Sequence, residues 1–107
     1  MDYKTLYSDL TTKLENEIPV TAYPIRELVQ IFRNKGKPIT LKSKLTITSV
    51  FNSGDISGIM CTVMENEDNV IACSLIHLIF DSKFHLYKDI IDYQQKRSKR
   101  IKQLNQM

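Results

Sequence analysis

The sequence LTITSVFNSGDISGIMCTVMENEDNVIACSLIHLIF, residues 45–80, holds three apolar, β-branched runs parted by two clusters of turn formers. Asn52-Ser53-Gly54-Asp55 interrupts the first run and Asn66-Glu67-Asp68-Asn69 the second. Connections this short join only antiparallel neighbours, so a three-stranded antiparallel meander is expected over residues 44–80. Four-residue loops place Phe51 opposite Ile56 and Glu65 opposite Val70, and opposed residues share a face. One face then gathers Leu45, Ile47, Phe51, Ile56, Met60, Met64, Ile71, Cys73, Leu75, His77 and Ile79, and is the expected core. The other gathers Thr46, Thr48, Val50, Ser57, Ile59, Cys61, Val63, Ala72, Ser74, Ile76 and Leu78. It is too apolar to be left bare and too rich in hydroxyls for a deep core. A second layer, either the tail helix or another subunit, is expected to cover it.

Upstream of the strands the apolar period changes to that of a helix. Tyr3, Leu6, Tyr7, Leu10 and Leu14 form one stripe, ended by Ile18-Pro19, because a residue before proline is pushed out of helical dihedrals. A second helix is expected from about Thr21–Pro24, with Ile25, Leu28, Val29 and Phe32 as its stripe and Asn34-Lys35-Gly36 as its stop. Downstream, Asp81 or Ser82 can cap a helix carrying Leu86, Ile90, Tyr93, Ile101 and Leu104, with Arg97 in the gap of that stripe. The expectation is one α+β domain: two N-terminal helices (residues 1–36), the three-stranded meander (44–80) and a C-terminal amphipathic helix with a basic end (82–105).

The totals suit a single domain of 107 residues, 42% hydrophobic and 25% charged. No apolar run reaches the roughly 18–20 residues that span a bilayer, so no membrane role is expected. Met1-Asp2-Tyr3-Lys4 lacks the basic-then-apolar layout of a secretory leader, which makes the cytoplasm the expected location. Two cysteines are too few for a disulfide scaffold. Charge is unevenly distributed: residues 1–82 hold eight Lys/Arg against ten Asp/Glu, and residues 83–107 hold seven Lys/Arg against two Asp.

The groups that could carry chemistry are few. Cys61 and Cys73 sit on adjacent strands, on opposite faces in the register above, where they can share neither a metal nor a disulfide. They read as small buried hydrophobes. His77, late in the third strand, is too far from Cys73 for a thiol–imidazole pair, since four residues of strand span roughly 13 Å. His85 falls in the expected first turn of the last helix without an evident partner. Ser53-Gly54-Asp55-Ile56-Ser57-Gly58 lacks the spacing of a phosphate-binding loop and reads as a turn, with Gly58 marking a bulge or close backbone approach. No catalytic residue, cofactor or metal ligand is expected, and an enzyme would need His77 or His85 to meet Asp55, Asp81 or a cysteine.

The basic cluster Lys96, Arg97, Lys99, Arg100 and Lys102 is the main feature outside the core. It could follow a phosphate backbone, bind an acidic partner or complement the helix dipole. The expected function is a non-enzymatic interaction or regulatory module that meets a protein partner or a second copy of itself. The alternative is nucleic-acid binding through those five residues. A helix-turn-helix is the weaker way to reach it, because Thr, Ile and Val over residues 41–50 favour a strand where a third helix is needed.

Overall fold

The computed structural model describes residues 3–67 and 69–106. The side chains of Tyr3 and Leu6 and the turn residue Asp68, all used in the reading above, lie outside the described residues. The architecture is α+β, with more sheet than the sequence suggests. In chain order it runs α1 (Tyr3–Glu15), β1 (Val20–Pro24), α2 (Arg26–Asn34), β2 (Leu45–Asn52), α3 (Gly54–Ser57), β3 (Ile59–Met64) and β4 (Val70–Ser74). A 3₁₀ turn over Leu75–His77, β5 (Leu78–Ile79) and α4 (Tyr87–Asn105) complete it.

The five strands form one antiparallel sheet in the order β4-β3-β2-β1-β5. β4 and β5 therefore lie at opposite edges although only three residues separate them in the chain. A link that short can join the two edges only if the sheet curls until they approach each other. The meander of β2, β3 and β4 is present, but it is part of this larger curl.

Each difference from the expected pattern has a local cause. Val20-Thr21-Ala22-Tyr23 is strand rather than helix start, as its β-branched and aromatic content favours once β2 and β5 supply partners on both sides. α2 begins after Pro24 and ends as read: Gly36 takes φ 72°, with Gly36 N–H bonding Arg33 O and Lys37 N–H bonding Phe32 O. The third run does not continue to Phe80 as one strand, because Ser74 Oγ accepts from Ile76 N–H and starts the 3₁₀ turn. The last helix begins at Tyr87, and Asp81 instead caps a turn by accepting from Lys83 N–H.

Two shifts in register reverse a face. β2 carries a bulge between Ile47 and Ser49, so Leu45, Ile47 and Val50 point inward while Phe51 points out, opposite Met60. The loop after β3 has five residues, which pairs Met64 with Val70 and Cys61 with Cys73. Ile59, Cys61 and Val63 are buried, whereas Met60 and Met64 lie outside the core cluster. A slip of one residue moves every side chain of a strand to the other face, and here it does so for β3.

Tyr7, Leu10 and Leu14 of α1, Leu28 and Phe32 of α2, and Ile90 and Tyr93 of α4 are buried in the same core as the inward strand residues. All three helices thus close the concave side of the sheet.

Gly58 fixes how the α3 turn meets α4. It has φ 69° and ψ −150°, a conformation open to almost nothing but glycine, and a Cβ there would lie 2.6 Å from Tyr93 Oη and 2.7 Å from Arg97 Nε. Gly58→Ala should cost about 3 kcal/mol or more, read as a fall in Tm of more than ten degrees. Gly36→Ala, at positive φ but in open space, should cost only about 1–2 kcal/mol.

Candidate functional site

The basic cluster separates into residues with different surroundings. Arg97, with 2% of its side chain exposed, is inside the protein. Its Nη1 donates to Asp55 O at 2.6 Å and to Tyr7 Oη at 3.2 Å, and its Nη2 donates to Ile56 O at 2.6 Å. The guanidinium carbon lies 5.8 Å from the centre of the Tyr7 ring. Tyr7 meets Tyr93 edge-on, and Tyr93 Oη accepts from Ile59 N–H at 2.8 Å. Burial pushes the Tyr93 hydroxyl up to about 12, so it stays protonated at physiological pH.

Arg100 holds the other side of the same turn. Its Nε and Nη2 meet both carboxylate oxygens of Asp55, the Nε contacts at 3.0 and 3.1 Å. That paired hydrogen bond, helped by the charges of Arg100 and Arg97, holds the Asp55 carboxyl below its ordinary range against the opposing effect of burial. Arg97 and Arg100 therefore tie α4 to α3 and are not free cations. Lys96 pairs with Asp92 one turn earlier, at 2.9 Å. Only Lys99 and Lys102 of the five have no ion pair among the described residues.

The remaining candidates are dispersed. Cys61 and Cys73 are not on opposite faces but directly opposed, and both are buried free thiols. Burial raises both, Cys73 to about 12, and each stays neutral. His77 lies in the 3₁₀ turn rather than in a strand, and burial lowers its pKa, with Glu27 pulling the other way. His85 precedes α4 and its Nε2 lies 2.6 Å from Glu17 Oε1, a partner that is distant in sequence. Asp55 and Asp81 are engaged elsewhere, and no group of three metal-ligating side chains occurs among the described residues. No helix is long and apolar enough to cross a membrane among those residues.

The sheet's outer face is the feature that the sequence reading misplaced. Phe51 and Met60 are opposed on it, as are Met64 and Val70, and Tyr23 and Ile79. Phe51, Val70 and Ile79 are exposed, and Met60, Met64 and Tyr23 are half-buried yet outside the core. Thr21, Thr46, Ser49, Thr62, Ala72 and Ser74 fill the positions between. No Lys, Arg, Asp or Glu stands at any strand position of this face. Solvated sheet faces ordinarily carry charge, which keeps them from sticking. The bulge at Thr48, the extra loop residue and the unforeseen strands β1 and β5 hid this face from a reading by alternation.

Arg97→Met should cost about 2–4 kcal/mol, because the Asp55 carbonyl and Tyr7 hydroxyl lose their donor inside the protein, while Lys99→Met should change stability by less than about 0.5 kcal/mol. Chemical denaturation of both variants checks the contrast. His77 gives a pH signature. Its folded pKa lies below the unfolded value of 6.5, so the unfolded chain binds the extra proton. Its contribution to stability is therefore whole above 6.5 and declines as pH falls below that value. The difference in Tm between pH 7.5 and pH 5.5 (values about one unit either side of 6.5) should shrink in His77→Leu. Comparison of the chain with protein-family models, with curated proteins and with solved structures finds no match.

Proposed function

We propose that this chain is a non-enzymatic interaction module whose contact surface is the outer face of its sheet, and that a second copy is the occupant. The observation that carries this reading is the lack of charge on a face bearing Phe51, Met60, Met64, Val70 and Ile79. An uncharged face can meet its own copy without like-charge repulsion and without stripping water from unpaired ions. Met60 and Met64 of β3 lie on it, and flexible thioethers can fill an imperfect fit. The face offers a nucleic acid no cation, and phosphate contacts supply most of such binding.

Size sets the expected affinity. Four strands of five to eight residues and a two-residue edge strand, about 4.8 Å apart and rising about 3.4 Å per residue, give a curved patch of several hundred Å². That is below the roughly 800 Å² each partner contributes to a standard interface, so the dimer should be weak and quickly exchanging, with a micromolar Kd. Light scattering should show an average mass that rises with concentration and hardly responds to salt. Phe51→Glu and Met64→Lys should each restore a monomer without lowering Tm. A monomer at millimolar concentration, or a dimer that survives both substitutions, overturns the proposal.

A further inference from the structure

A second surface lies along the flank of α4 that carries Ile91, Gln94 and Ser98. Two hollows share Ile91 and Gln94 and so run end to end beside the helix. The inner one, about 130 Å³, is walled by Ile25, Ile76, Ile79, Tyr87 and Ile91. That volume is close to a roughly 150 Å³ cavity able to hold a benzene ring, so it accepts one large apolar side chain. The outer one is bordered by Gln95, Ser98, Lys99 and Lys102.

We infer that this groove binds an acidic peptide segment of a partner protein that carries one large apolar anchor. Charge complementarity selects that occupant. Lys99 and Lys102 are exposed and have no ion pair among the described residues, and no carboxylate lines either hollow. The carboxylates of α4 are already paired, Asp89 with Lys13 and Asp92 with Lys96. Between the two ends, Gln94 Nε2 donates to Leu75 O and Leu78 O, while its Oε1 accepts nothing among the described residues and is placed to take a peptide N–H. An anchor in the inner hollow therefore continues towards two cations, past a ready acceptor. A nucleic-acid backbone would find only those two cations and an apolar wall, too few contacts for stable binding. The groove is distinct from the proposed dimer surface, which it touches only at Ile79.

Selection from a phage-displayed library of short random peptides tests this, followed by fluorescence anisotropy of the enriched sequences. Enriched peptides should combine Asp or Glu with a single Phe, Leu or Trp, and their binding should weaken with salt. The double variant Lys99→Glu/Lys102→Glu, at exposed positions that do not support the fold, should weaken binding about tenfold or more. Ile91→Gln should weaken it without altering the salt dependence. Enriched peptides with no acidic bias, or an affinity unchanged in the double variant, would overturn the inference. So would a random-sequence duplex that displaces the peptide and depends on the same lysines, which would assign the groove to nucleic acid.

Discussion

A guanidinium buried between the first helix, the last helix and a turn is the constraint from which the remaining geometry follows. A charge taken out of water is costly unless hydrogen bonds replace the lost hydration, so Arg97 must sit where carbonyls and hydroxyls already point. The carbonyls of Asp55 and Ile56 do so only when residues 54–57 form a helical turn. That turn requires the backbone that Gly58 alone supplies, and Gly58 brings Ile59 N–H onto Tyr93 Oη. β3 is thereby set in register against α4, and α1 is drawn in through Tyr7. Arg97 Nε has no hydrogen-bond partner among the described residues and faces the space Gly58 leaves open. The arginine specifies one arrangement more than it adds stability.

The curl of the sheet distributes the surfaces. All three long helices fill its concave side, and among the described residues no helix covers the convex one. Charge follows the same division. Cations are placed on α4 and on the long connection after α2, where Lys37 Nζ donates to Val70 O and shields the edge of β4 from pairing with a stray strand. The face between the edges carries none. A neutral apolar sheet and a groove with cations at one end suit partners of different chemistry, and a module could hold both together.

Most of the fold's elements and the meander pairings of β2, β3 and β4 could be read from residue order, whereas the registers and both pairings of β1 could not. The stripes Tyr7-Leu10-Leu14 and Leu28-Phe32 are legible because helix contacts repeat within a few residues. Arg97 stands in the gap of the last stripe, where the sequence groups it with the basic cluster, and it proves to be buried. β1 was hidden because its partners, β2 and β5, lie more than twenty residues away, and Pro24 next to a helical stripe imitates a helix start. The bulge at Thr48 leaves no composition signal, and with one extra loop residue it exchanges the core and outer faces of β3. The groove beside α4 is equally invisible, since its two banks come from residues 25, 76–80 and 87–102.

The bond from Arg97 to Tyr7 closes a loop of 90 positions, and β1 waits for β5 across more than fifty. Closing such loops costs chain entropy before any contact returns it, so folding of this topology is expected on the slower, millisecond-to-second scale. During synthesis α1 and β1 emerge long before the residues that anchor them. Until α4 has been made, Tyr7 lacks Tyr93 and Arg97, and the core that α1 shares with them can close only once that helix leaves the ribosome.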